Sequence, residues 1–208
     1  RSSERPVGVM EFADVVTSRR MVRAFEPRPI DADVLDRILD IARRVPAAGN
    51  TQGLDLVVLE GAQTMRYWDL TLPPERRSTF PWPRLLDAPV LIIPVSSPAA
   101  YVERYGEPDK SHTGLGQSES AWSVPYWYVD TAFSAMLAML AAADEGLGAL
   151  FFGQFEHEEA IKREFAIPAD RRPVGTIALG HAAIEQRPSR SSVRPRRSLD
   201  DIVHRGGW

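Results

Sequence analysis

"DTAFSAMLAMLAAADEGLGALFFGQF", residues 130–155, decides how this chain folds. Its first half is apolar nearly all round: Phe133, Ala135, Met136, Leu137, Ala138, Met139 and Leu140 run into three alanines. No polar stripe recurs at the helical period, so a helix over 127–145 has to be buried on several sides. Its alanines let a second helix come close. "EGLGALFF" then stops the helix at Gly146 or Gly148 and opens a strand.

Strand and helix signals continue outward from this centre. "LDLVVLE" (54–60) and "VGTIALG" (174–180) read as strands. "APVLIIPVS" (88–96) is apolar on both faces and therefore reads as central. A short helix is expected over 11–20. A second, over 32–45, has Asp31 as N-cap and an apolar face of Val34, Leu35, Ile38, Leu39, Ala42 and Val45. Pro46 and Gly49 end it. Residues 62–70 read as a short helix and 157–167 as an amphipathic one. Four prolines in 71–84 predict an exposed loop. Residues 99–126, rich in glycine and aromatics, predict an irregular but ordered lid. With no repeat and no linker, residues 1–208 read as one α+β domain, ending in a basic arm at 185–208.

The 208 residues carry a net charge of -3 and 44% hydrophobic residues. Nothing global points to nucleic acid. No cysteine is present, so these residues hold no disulfide, thiolate nucleophile or iron–sulfur cluster, and redox chemistry here needs a bound cofactor. The longest apolar run, 132–143, is too short to span a bilayer, and "RSSERPVGVM" has no apolar signal core, so a cytoplasmic location is expected. The histidines at 112, 157, 181 and 204 do not fall at metal-ligand spacing, and no metal site is expected. "GLGALFFG" has the wrong spacing for a dinucleotide fingerprint and precedes a strand instead of following one.

Two stretches carry candidate chemistry. "SRRMVRAFEPRPI" (18–30) gathers Arg19, Arg20 and Arg23 just before a proline-bracketed turn. Either it is a solvated, helix-capping cluster, or it is an anion site built from forked donors. "PAAGNTQG" (46–53) places Asn50 and Gln52, amides that both donate and accept, where a helix runs into a strand. A plain turn explains it as well as a binding loop does.

Taken in order, "SRRMVRAF", "PAAGNTQ", residues 130–155 and "RPRRSLDDIVHRGGW" (194–208) resemble the flavin-binding nitroreductase family. The resemblance covers most of the chain and is weakest at 61–87 and 99–126. It implies an α+β fold with a central, mostly antiparallel sheet flanked by helices, and an extended C-terminal arm. It also implies a homodimer that binds FMN at its interface, with NADH or NADPH as electron donor. By position, Arg19, Arg20 and Arg23 would meet the phosphate and ribityl chain, joined by Arg196 or Arg197 from the arm. Ala48, where many members carry serine, would lie near the flavin with Asn50 and Gln52. Phe151, Phe152, Gly153 and Gln154 would pass its reactive edge, a backbone N–H at Gly153 or Gln154 reaching the ring. At least one of the two phenylalanines reads equally as strand core. The helix 127–145 would be the dimer seam or the core of one copy.

The implied activity is reduction of a small-molecule acceptor, nitroaromatic or quinone-like, in ping-pong order. No side chain is required as acid or base. Trp122, Tyr126 and Trp127 would stack on the acceptor or simply pack the lid. Three other readings stay open: dehalogenation, dehydrogenation or flavin breakdown on the same scaffold; flavin or nucleotide binding without turnover; and an anion-binding adaptor.

Overall fold

Every residue of the strand Val90–Ser96 is buried, and its side chains divide cleanly between two cores. Val90 and Ile92 join one apolar cluster; Leu91, Ile93 and Val95 join the other. A strand apolar on both faces can only sit between two layers, which is where a computed structural model of the chain, describing residues 11–208, places it. The opening stretch 1–10, where no signal core was expected, lies outside the described residues.

In chain order the elements are α1 (Phe12–Ser18), α2 (Ala32–Ala42), β1 (Leu54–Glu60), α3 (Ala62–Thr71), α4 (Pro74–Arg77) and β2 (Val90–Ser96). There follow α5 (Pro98–Gly106), α6 (Tyr126–Asp144), β3 (Gly148–Phe152), α7 (Glu158–Glu164), β4 (Arg172–Pro173) and β5 (Thr176–Gly180). The sheet runs β1-β2-β5-β3, with β4 also on β2, and its strand pairs are antiparallel. Val57 faces Ile93, Ile92 faces Ile177 and Ala149 faces Leu179. One isolated parallel bridge joins Met21 to Ala149 at the edge of β3.

α6 and α2 cover one face of this sheet. Ala135, Ala138, Met139, Ala141 and Ala142 of α6 meet Leu35, Ile38 and Ala42 of α2 over Val90, Ile92, Ile177 and Leu179. The alanines let α6 lie close, so its apolar surface is spent largely on its own chain. Phe133 and Met136 nevertheless stay exposed, at 47% and 38%. α3 and α7 cover the other face through Tyr67, Trp68 and Ile161. Gly146, at φ 72, is where α6 ends.

Some expectations are corrected. Residues 99–126 do not form an irregular lid. They begin inside α5, where Ser97 caps the helix, its Oγ accepting from the Ala100 N–H at 3.4 Å, and Pro98 opens the first turn. Three short 3-10 turns follow and pack back on α5, with Tyr101 1% exposed. Residues 71–84 are not simply an exposed loop: they hold α4, and Phe80 and Trp82 are half-buried. α2 ends at Ala42 instead of 45, because Val45 precedes a proline and is driven towards extended backbone. Asp31 has the extended backbone of an N-cap, but its side chain makes no capping hydrogen bond. The arm 185–208 contains a 3-10 turn at Arg190–Val193 but no strand or α-helix.

Candidate functional site

Because α1 stops at Ser18 and the chain then runs extended to bridge β3, the three arginines leave it in different directions. Arg20 folds back: its Nη1 donates to the carbonyls of Thr17 (2.6 Å), Ser18 (3.0 Å) and Arg19 (3.1 Å), closing the end of α1. Arg23 donates from Nη1 to the Met21 carbonyl at 3.1 Å and lies 5.5 Å over the Trp82 ring. Arg19 keeps a buried Nη1 with no hydrogen-bond partner. A charged donor left buried and unpaired costs more than the 1–3 kcal/mol or so of a neutral one. An anion would satisfy it with a charge-assisted bond, where a carbonyl or water would give a weaker one.

Arg23 stands at the edge of a cavity of about 400 Å³. Phe151, Phe152, Gly153 and Gln154 line it where β3 ends, and Tyr67, Trp68, Phe80 and Trp82 form an aromatic wall. Phe152 stacks on Trp68 with ring centres 5.7 Å apart and planes 14° from parallel. The Gln154 side chain turns inward, Nε2 donating to Thr176 Oγ1 at 2.8 Å, and the Tyr67 hydroxyl meets the same Oγ1 at 2.8 Å. Burial drives the Tyr67 phenol far above its ordinary pKa, so it stays neutral. Trp68 Nε1, Trp82 Nε1 and Gln154 Oε1, all on lining residues, are buried without partners.

A second cavity, of about 350 Å³, is lined by Ala48, Tyr105, Leu115, Trp122, Val124 and Tyr126. The turn leading out of it has left-handed backbone at Gly49 (φ 63), Asn50 (φ 54) and Gln52 (φ 54). The Arg104 Nε–H donates to the Gly49 carbonyl at 2.8 Å, and the Gln52 Nε2 reaches Asn50 Oδ1 at 3.3 Å. Trp127 does not reach this cavity. It is 5% exposed, packed edge-on against Tyr101 and Trp122. Trp122 is itself 8% exposed, so it presents only a rim to any ligand.

The chain gathers some of the expected residues into two groups, while Arg19, Arg20, Asn50, Gln52 and Trp127 line neither cavity. Arg23 and Phe151–Gln154 share one cavity, Ala48, Trp122 and Tyr126 the other, and no residue lines both. Arg196 and Arg197 lie exposed in the arm, where Arg197 donates to the Asp201 carbonyl. Asp130, Arg104, Phe155 and the Tyr67–Trp68 pair were not singled out from sequence. Asp130 had a signal, as the lone charge in the opening turns of an otherwise apolar helix. Phe155, 83% exposed at the cavity rim with φ 47, had none. Among the described residues, no three acidic or histidine side chains come together as a metal cluster.

Known proteins share this chain's family and fold. The profile of the nitroreductase family matches residues 16–181. A Methanothermobacter thermautotrophicus protein, named for NADH dehydrogenase or NAD(P)H nitroreductase activity, is 26% identical over 182 residues, covering 85% of this chain and 80% of its own. A Clostridium novyi nitroreductase family structure shares 26% identity with a TM-score of 0.64, covering 84% of this chain and 87% of that one. A Staphylococcus epidermidis structure, titled as an NAD(P)H:FMN oxidoreductase, superposes with a TM-score of 0.69 at 21% identity, covering 97% and 98% of the two chains. At that identity its likeness speaks for the fold.

Proposed function

The chain belongs to the nitroreductase family and is an NAD(P)H-dependent flavin oxidoreductase, and on that premise we propose that its flavin is FMN, held between two copies of the chain, and that nitroaromatic or quinone-like compounds are its acceptors. The observation that carries this reading is the buried, unpartnered Arg19 Nη1, four residues before Arg23 on the extended segment that supplies Arg23 to the aromatic-walled cavity. A phosphate monoester answers that donor, and the aromatic wall beside Gly153 suits the flat ring attached to it.

When bound, FMN supplies the centre that accepts hydride from NAD(P)H and passes electrons on. The protein's own share is positioning and electrostatics. Arg19 and Arg23 offer forked donors to the phosphate and ribityl chain, and Arg196 or Arg197 of the arm completes the charge. Backbone N–H groups at Gly153 and Gln154 face the ring. Asn50 and Gln52 of the second copy offer amides to it, and Tyr126 with the rim of Trp122 shapes the space for the acceptor. Reductant and acceptor use this space in turn, a ping-pong order.

Two features support the dimer. The two groups of site residues line separate cavities in one chain, so a second copy has something to complete. α1 packs on α6, and Phe12 (74% exposed) and Val16 (41%) of the first lie on the same assembly as Phe133 and Met136 of the second. Exposed large apolar side chains on two helices in contact are the kind of surface a partner covers. The chain is read as one domain, its arm reaching over the partner, and as a cytoplasmic protein without nucleic-acid or membrane partners. No helix among the described residues is long and apolar enough to cross a membrane.

Purification tests this directly. The protein should come off the column yellow, release FMN on denaturation, and bleach anaerobically with NADH or NADPH. Adding a nitroaromatic or a quinone should restore the colour. A colourless protein that binds no flavin, or a bound deazaflavin, would refute the FMN assignment.

A further inference from the structure

α6 buries a carboxylate. Asp130 is 4% exposed, and among the described residues no ion pair involves it. Its Oδ2 accepts two hydrogen bonds, from the Ala48 N–H at 2.9 Å and from the Tyr101 hydroxyl at 2.7 Å. Its carboxylate and the loss of water at Tyr101 together push that phenol well above its ordinary pKa, burial being the larger cause. Holding a carboxylate out of water with hydrogen bonds but no cation beside it is expensive. Here the cost secures one thing: a single oxygen ties α6, α5 and the turn at Ala48 together.

That turn needs holding. Asn50 and Gln52 both sit in the left-handed region, which side chains with a Cβ avoid, glutamine more than asparagine. Strain of that kind persists only where the surroundings over-determine the backbone. The surroundings are α5 and α6. Arg104 holds the Gly49 carbonyl, and the Tyr105 ring lies 2.8 Å from where a Cβ on Gly49 would stand. Asp130 holds the N–H of Ala48, just ahead of the strained residues.

We propose that Asp130 is a positioning residue, which through the Ala48 N–H, and with Tyr101 as its second donor, fixes the 48–52 turn in the shape that presents Asn50 and Gln52 to the flavin. The proposal rests on the reading that this turn contacts FMN. Preorganising a binding turn shows up as affinity, because the ordering cost is met before the ligand arrives. Asp130→Asn keeps the size but replaces a charged acceptor with a weaker one and adds an unwanted donor.

The test measures three quantities on wild type, Asp130→Asn, Tyr101→Phe and the double variant: the FMN dissociation constant, the absorption spectrum of the bound flavin, and the melting temperature of the apoprotein. Asp130→Asn should weaken FMN about tenfold and Tyr101→Phe about threefold, with the double variant little worse than Asp130→Asn alone because both act through one turn. The bound-flavin spectrum should shift in Asp130→Asn. Wild-type affinity and spectrum in both folded variants would overturn the proposal. So would a fall in apoprotein melting temperature with flavin binding unchanged, which is what a purely structural role predicts. If Asp130→Asn does not fold, wild-type affinity in Tyr101→Phe overturns it. If the wild type itself binds no FMN, the function reading falls and takes this proposal with it, whereas tight wild-type binding with unaffected variants refutes the proposal alone.

Discussion

Arg19 and Arg20 are neighbours in the chain with opposite surroundings. Arg20 has three carbonyls to donate to; Arg19 keeps a buried nitrogen with none. Arg19→Ala should therefore weaken FMN by tenfold or more, the loss of a charge-assisted contact to phosphate. Arg20→Ala should leave FMN affinity within about twofold and lower the melting temperature by a degree or two, as α1 loses the group that closes it. Equilibrium dialysis and a thermal melt on the two variants check the contrast; equal loss of FMN in both would break it. Sequence could count these cations but not aim them, because the direction of each is set by where α1 ends and where Met21 meets β3. Asp130 carried a clearer signal, since a carboxylate near the start of a helix that is otherwise mostly apolar has to be satisfied by something.

Among the elements, the strands were the most readable. "LDLVVLE" is β1 residue for residue, and the doubly apolar 88–96 contains the buried β2, because a strand's two-residue period reports directly on which faces are covered. α5 is hidden by composition: its aromatics and the glycines after it suggest a lid and outweigh the start signal at Ser97–Pro98. α6 was recognised as buried, yet most of what buries it is its own chain, and only a strip including Phe133 and Met136 is left for a partner. Phe133→Glu should split the proposed dimer, moving the protein to monomer mass in sedimentation or light scattering and lowering its flavin content; an unchanged mass would contradict the proposed seam. At the other end of α6, the Arg37 guanidinium grips Glu145 through two hydrogen bonds, 2.7 and 2.9 Å, tying α2 to α6. That contact holds the Glu145 carboxyl below the usual carboxylate range. A lowered carboxyl pKa adds stability above the unfolded-state value and loses it as pH falls through the folded one. Glu145→Gln should therefore melt slightly below wild type at neutral pH, the gap closing on acidification below about pH 4. A gap that persists in acid would assign the effect to packing.

At the scale of the whole molecule, one chain folds its sheet, covers both faces, and still leaves Arg23 and Ala48 at different cavities, with its basic arm exposed. Local pattern announced the strands and the motif order. It could not announce that the two motifs of the proposed site would sit apart in one copy, since on that reading the site is a property of a dimer. Deleting residues 187–208 should lower FMN retention and leave the fold intact by circular dichroism; full retention would remove the arm from the site. The most direct measurement is complementation between two defective copies. Arg19→Ala damages one half of the proposed site. Asn50→Gly damages the other, removing the amide while tolerating the same backbone. Purified alone, each should retain little FMN. Co-expressed, they should form mixed dimers in which one site carries both lesions and the other neither, restoring about a quarter of the wild-type flavin content for random pairing. Flavin content no higher than that of the separate variants would contradict a site shared between two copies.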